Sequence, residues 1–285
     1  MKWSPMRWLL VVLMAVAAGA TPFCYSQQPG GTASTPAAPV QTARSGTPAV
    51  GNVQEHPLKR ATDLARAALE QAQRLQGCTF IMVKRENVNG KLSGHEAVFM
   101  KVRTQPFSVY AYTLGPVQPK GREAIYVEGR NGNKAQVHVT GFQHKLLGVL
   151  SLDPAGPEMM DGNRNSMTTA GFVNMMTNIL KMYDMEGRHP ENDVQIYTGA
   201  KVDGVPCTCV QNAHSVRRPD FPYHMTRVFY DEQSSLPIRW EAYDWPAKAG
   251  AAPALLEEYT YRNVKLNPGL NDTDFDINNP AYGYK

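Results

Sequence analysis

From residue 78 onward the chain alternates apolar and polar side chains in short runs. A period of two is that of strands with one buried face. The expected strands cover 78–88, 96–103, 107–114, 123–128, 134–140, 146–152, 193–200, 205–214, 225–231, 237–244 and 255–266. Asn89-Gly90, Asn131-Gly132 and Asp203-Gly204 punctuate these runs, and their residues accept the positive φ of a tight hairpin turn. The pattern predicts a largely antiparallel, up-and-down sheet. Two segments carry a helical period instead. Residues 57–76 gather Leu58, Ala61, Ala65, Ala68, Leu69, Ala72 and Leu75 on one face, with Pro57 in the first turn and Gly77 as the C-terminal cap. Residues 169–186 gather Phe172, Met175, Met176, Ile179, Leu180, Met182 and Tyr183, with Thr168 as N-cap and Gly187 and Pro190 as stop signals. This second helix and its approach hold Met159, Met160, Met167, Met175, Met176, Met182 and Met185, a concentration of side chains that adapt to irregular apolar shapes. Two readings follow: a helix simply packed on the sheet, and an adaptable lid over a ligand.

The segment before the first helix has no such period. Lys2 and Arg7, an apolar run from Trp8 to Ala18 and then Ala18-Gly19-Ala20 make a secretory signal peptide over 1–20, too short in its apolar part to span a bilayer. Thr21-Pro22-Phe23 is a poor fit to the residues that precede a lipidated cysteine, so anchoring at Cys24 is not expected. Residues 21–56 are rich in Gly, Pro, Ala, Ser and Thr. They have too little apolar surface to offset their ordering entropy, so a flexible linker is expected. One domain over 57–277 and a short tail over 278–285 follow, in an exported, periplasmic protein expected to be a monomer. Losing Lys2 and Arg7 with the signal takes the net charge from +4 to +2, which offers nothing to nucleic acid or an anionic surface.

The order of elements, with F-M-K-V-R-T-Q-P-F-S-V-Y (99–110), A-I-Y-V-E-G-R-N-G-N-K (124–134), L-P-I-R-W-E-A-Y-D (236–244) and the run 257–276, resembles the LolA/LolB superfamily of lipoprotein carriers. With C-T-F-I-M-V-K-R-E (78–86), C-T-C-V-Q (207–211) and E-A-Y-D-W-P (241–246), the chain more closely resembles a bacterial family of exported proteins known only as a domain of unknown function. The resemblance implies an α+β fold, mainly antiparallel β: an unclosed half-barrel with helices covering its concave face and an apolar cavity for lipid or acyl chains. In the carriers an arginine bonds to the helical lid and holds the cavity shut. The matching position here is Arg103, which by residue type alone reads as an exposed strand-end arginine. The expected cavity residues are Leu69, Ala72, Phe172, Met175, Met176 and Ile179, and the expected partner is a lipid or an acylated protein. The other expectation is a non-enzymatic envelope protein that uses the half-barrel as an interaction surface.

Catalytic, metal and cofactor motifs are missing from the sequence. Glu241 and Asp244 could form an acid/base pair, but an outer sheet face of alternating charges is the better reading, and His138 and His214 read as half-exposed strand residues. Cys207 and Cys209 share a strand face about 6.7 Å apart, too far for an easy bond with each other. In an oxidising compartment, a disulfide from Cys78 to Cys207 or Cys209 is therefore expected.

Overall fold

The structure, a computed structural model of the chain, describes residues 55–116, 120–140, 148–248 and 250–284. The expected signal segment, Cys24, the linker up to residue 54 and residues 146–147 of one expected strand lie outside the described residues. Among the described residues no helix is long and apolar enough to cross a membrane.

Two meanders make one sheet. The first consists of β1 (Gly77–Val88), the two-residue β2 (Lys91–Leu92), β3 (Glu96–Arg103), β4 (Ser108–Gly115), β5 (Glu123–Val127), β6 (Ala135–His138) and β7 (Val149–Leu152). The second consists of β8 (Asn192–Val202), β9 (Val205–His214), β10 (Met225–Asp231), β11 (Pro237–Tyr243) and β12 (Leu255–Leu266). Their spatial order is β7-β6-β5-β4-β3-β1-β12-β11-β10-β9-β8, with β2 paired to β1. Every pairing is antiparallel, and β1 against β12 is the seam between the meanders. The edge strands β7 and β8 do not pair with each other, so the sheet is the expected unclosed, mainly antiparallel one.

The turn dipeptides act as their chemistry demands. Asn89 and Gly90 sit at φ 53° and 80°, and Asp203 and Gly204 at 50° and 86°, each joining consecutive strands. Asn131-Gly132 differs, lying in a 3-10 turn, Asn131–Asn133, within a longer connection between β5 and β6.

Helix α1 (Lys59–Gln73) buries Ala61, Ala65, Ala68 and Ala72, and this face of methyl groups lets it lie close against α3 (Phe172–Glu186). Between β7 and α3 comes one short turn of helix, α2 (Pro157–Met160). Both long helices cover one face of the sheet: Met176, Ile179, Met182 and Tyr183 of α3 pack on Val210, Val228, Tyr230, Trp240 and Ala242. Burying such side chains is worth about 1.5–3 kcal/mol each, which holds the helices to the second meander. Two expected caps are corrected. A Cβ at Gly77 would stand 2.7 Å from the Val102 carbonyl oxygen, so Gly77 is the point of close passage between β1 and β3 and does not cap α1. Helix α3 starts at Phe172 because Gly171, at φ 90°, precedes it, while Thr168 belongs to a separate 3-10 turn.

The expected C-terminal tail is folded. Residues 270–284 cross the opposite face of β3, β4, β5 and β6, where Phe275 and Tyr284 bury against Tyr110, Ile125 and Val127. Tyr282 stacks on Tyr110 with ring centroids 4.2 Å apart, and the Gly283 N–H donates to Glu123 Oε1 at 2.8 Å.

Candidate functional site

Strand alternation sends Phe80, Met82, Lys84 and Glu86 of β1 to the helix-bearing face, with Val98 and Met100 of β3 and Ala111 of β4 beside them. Tyr259 and Tyr261 of β12 continue the wall, and α3 with the segment before it roofs the space through Met159, Met167, Met175 and Ile179. The cavity, partly open to solvent, has a volume of about 420 Å³, within the usual range of about 300–1,000 Å³ for ligand sites. Six methionines line it, namely Met82, Met100, Met159, Met167, Met175 and Met182. An apolar space walled by such side chains accepts ligands of varied shape.

One end of the cavity is polar and closed by a latch. Three consecutive residues before α3, Asn163, Arg164 and Asn165, reach down to charged side chains on the sheet, Asn163 to Lys84 and the other two to carboxylates. Arg164 Nε donates to Glu257 Oε2 at 3.0 Å and the Arg164 backbone N–H to Glu86 Oε1 at 3.1 Å. Asn165 Nδ2 donates to Glu257 Oε2 at 3.1 Å and to the Tyr259 hydroxyl at 2.7 Å, while Lys84 Nζ bonds Asn163 Oδ1 and Glu86 Oε2. Buried Glu257 also accepts from Tyr223 at 3.1 Å and Trp240 Nε1 at 2.9 Å, and the Tyr259 hydroxyl donates to Glu86. Burial works against the Arg164 charge, but the hydrogen bond and charge of Glu257 outweigh it and raise the Arg164 pKa. Burial, then the Glu257 and Glu86 charges, push the Tyr259 phenol far above its ordinary value, so it stays a donor. With both carboxylate oxygens of Glu257 engaged, the latch is a satisfied network, the condition under which buried charge is tolerated.

The structure divides the expected cavity residues. Met175 and Ile179 line the cavity. Phe172 and Ala72 line a smaller one of about 310 Å³ that adjoins it at Ala170 and Gly171. Met176 and Leu69 line neither cavity and belong instead to the core that joins the two helices to the second meander. Arg103 is corrected. As the neighbour of inward-facing Val102, it points to the opposite face of the sheet, where Nη1 donates to Asp272 Oδ1 at 2.7 Å and Nη2 to Ser108 Oγ at 2.9 Å, with the guanidinium over the Phe275 ring. It therefore fastens the C-terminal strap, and the arginine that ties the roof to the sheet is Arg164. Arg164 escaped sequence reasoning because N-R-N lies in an irregular stretch with no period.

The expected disulfide is also corrected. Cys78, Cys207 and Cys209 are buried free thiols. Between β1 and β9 lie β12, β11 and β10, so four steps of about 4.8 Å separate the cysteines by about 19 Å along the sheet, where a bond needs under about 7 Å. Cys78 packs on the helix-bearing side with Phe80 and Ala72, whereas Cys207 and Cys209 pack on the other with Phe229 and Ile238. Burial pushes the three thiols up to about 12, 11 and 12 in that order.

Glu241 lies on the outer face, 2.7 Å from Arg239 Nε and 3.6 Å from Arg227 Nη1, and Asp244 Oδ1 accepts from the Trp245 N–H, so the two acids do not form a pair. His138 and His214 are buried rather than half-exposed. His214 stacks on Phe221 at 3.8 Å, with Nε2 3.3 Å from Oε1 of Glu186, the last residue of α3. Among the described residues, no group of His, Cys, Asp and Glu side chains is placed to hold a metal ion.

Residues 75–284 match the family described as "Protein of unknown function (DUF1571)". No curated protein matches the chain. Solved structures similar to it include a DUF1329 family protein from Desulfovibrio piger, at 14% identity and a TM-score of 0.39 over 78% of this chain and 98% of that one. The lipoprotein LppX of Mycobacterium tuberculosis is 13% identical, with a TM-score of 0.43 over 76% and 98% of the respective chains. A LolA superfamily protein from Nitrosomonas europaea is 12% identical, with a TM-score of 0.30 over 74% and 97%.

Proposed function

The chain belongs to the DUF1571 family, whose function is unknown, and we propose that it is a binding protein for an apolar chain, lipid or protein-borne acyl group, taken up in the cavity between the sheet and α3. The observation that carries this reading is the cavity itself: about 420 Å³, walled by methionine and aromatic side chains, with a roof fastened by a polar latch at one end. The driving force is the transfer of methylenes out of water. At about 0.8 kcal/mol per buried methylene, a chain of about fifteen supplies about 12 kcal/mol, and an association cost of about 4 kcal/mol leaves about 8 kcal/mol, the scale of micromolar binding. Long chains are therefore the ligands and short ones bind poorly. The export signal expected from the N-terminal sequence supports a periplasmic site for this binding.

A fluorescent fatty-acid probe tests the reading. Wild-type protein binds it with micromolar affinity, and Ala111→Trp, which pushes an indole into the space from β4, weakens binding by about tenfold or more while leaving the far-ultraviolet circular dichroism unchanged. A wild-type protein that ignores the probe and leaves envelope extracts without a bound lipid in native mass spectrometry overturns it. So does an Ala111→Trp variant that binds like wild type.

A further inference from the structure

The charges that face the cavity do not all cancel locally. Lys84 pairs with Glu86 at 2.8 Å and Glu96 at 3.5 Å, and Arg164 pairs with Glu257 at 3.0 Å, so the three cavity carboxylates are engaged by these two cations. Arg122 is different. It directly precedes β5 on the side of the strand that carries Ala124, lines the same cavity beside Thr113, and is half-buried. Its side-chain hydrogen bond among the described residues runs from Nη2 to Met159 Sδ at 3.4 Å, a weak acceptor. Every Asp and Glu of the chain lies within the described residues, and none forms an ion pair with Arg122. A guanidinium carries five donors in a planar fork that matches a carboxylate or phosphate, and here that fork faces a methionine-lined apolar space without an anion of the protein's own.

We propose that Arg122 is the head-group subsite of this cavity, and that the ligand is a single-chain amphiphile with an anionic head, carboxylate or phosphate, whose apolar tail lies along Met82, Met100 and Met175. The inference rests on the binding reading above and adds the ligand's charge and the residue that selects it. The latch cannot perform this role, because Glu86, Glu257 and their donors already satisfy one another. Arg122 is therefore a specificity residue: the apolar wall sets affinity for the tail, and the guanidinium separates an acid from an alcohol with the same tail.

The test compares palmitate, palmitoyl-lysophosphatidic acid and hexadecanol, each below its micelle-forming concentration, on delipidated full-length protein by calorimetry. A charge-assisted hydrogen bond pair to a half-buried guanidinium corresponds to about a ten- to hundredfold preference for the matching anion over hexadecanol. Preference for palmitate identifies a carboxylate head, and preference for the lysophospholipid a phosphate head. Arg122→Gln abolishes the preference by bringing the anion down to the level of hexadecanol, Arg122→Lys keeps part of it, and both variants melt with the wild type because no ion pair is lost. Hexadecanol binding as tightly as both anions, or Arg122→Gln weakening all three ligands equally, overturns the subsite. Failure of all three ligands to bind overturns the cavity reading, and this inference with it.

Discussion

Replacing Glu257 by glutamine tests the latch with little change of shape. Oε1 of Glu257 accepts from Tyr223 and Trp240, and Oε2 accepts from Arg164 and Asn165. An amide has one oxygen to offer. Set against Tyr223 and Trp240, its NH2 group meets Arg164 Nε and Asn165 Nδ2, so donors face donors. Two hydrogen bonds to a charged acceptor, at about 1.5–3 kcal/mol each, set an upper limit of about 3–6 kcal/mol. The Arg164 side chain is 29% exposed, so water recovers part of this, and we expect Glu257→Gln to cost about 2–3 kcal/mol. For a domain of this size each kcal/mol lowers Tm by about 2–4 °C, giving a fall of about 4–12 °C. The assay is a double-mutant cycle in thermal and urea unfolding with Glu257→Gln, Arg164→Met and the two together. The latch requires the second substitution to cost less once the first is present, with a coupling of about 1–2 kcal/mol. Single effects that add to within about 0.5 kcal/mol refute it.

Two further outcomes follow from the same geometry. With their pKa values at about 12, 11 and 12, the Cys78, Cys207 and Cys209 thiols are almost wholly protonated at mildly alkaline pH. None of the three reacts with a disulfide reagent in the native protein, all three react in guanidinium, and a reductant leaves Tm unchanged; a Tm that falls on reduction restores the disulfide. On the outer face, hydrogen bonds from Arg103 and then Arg130 hold Asp272 below its ordinary value of 3.8. Its folded-state pKa is depressed, so its hold on the strap is complete above about 3.8 and is lost as pH falls through the lower folded value. The protection factors of amides 272–284, with the intrinsic pH dependence of exchange divided out, are therefore flat from neutral to mildly acidic pH and fall only in strong acid; a fall centred above 3.8 contradicts this.

The elements with a repeating signal were legible in the sequence. Strands β9 and β12 coincide with 205–214 and 255–266 because alternation continues right up to each end. The alanine face of α1 was equally plain, since its spacing and small size both describe contact with a neighbour. What was lost depends on the order of strands in space. Cys78 and Cys209 look like natural partners until β1 is placed in the middle of the sheet and β9 one strand from its edge. The resemblance put Arg103 at the roof although Val102 beside it is the inward residue, a difference of one position that strand alternation turns into the opposite face. Residues 278–284 of the strap were read as a tail because their contacts rest on two separate aromatics, Tyr282 and Tyr284, with no period among polar residues and Pro280. At the cavity, the methionine concentration pointed to the right helix. The acids that fasten its roof were hidden among ordinary strand residues, and Arg122 stood in no motif.

The seam between β1 and β12 also governs the order in which the molecule can be made. Residues 77–88 lie at the centre of the sheet, and one of their two flanking partners is 255–266, nearly the whole domain away along the chain. Each meander can assemble from neighbours as it emerges, but the join must wait for the last strand, and such distant pairings are slow to form. Until then the edge of β1 and the apolar wall beneath α3 stand open to other chains. A protein built this way closes only after its C-terminal residues have arrived, and it is most vulnerable to aggregation in that interval.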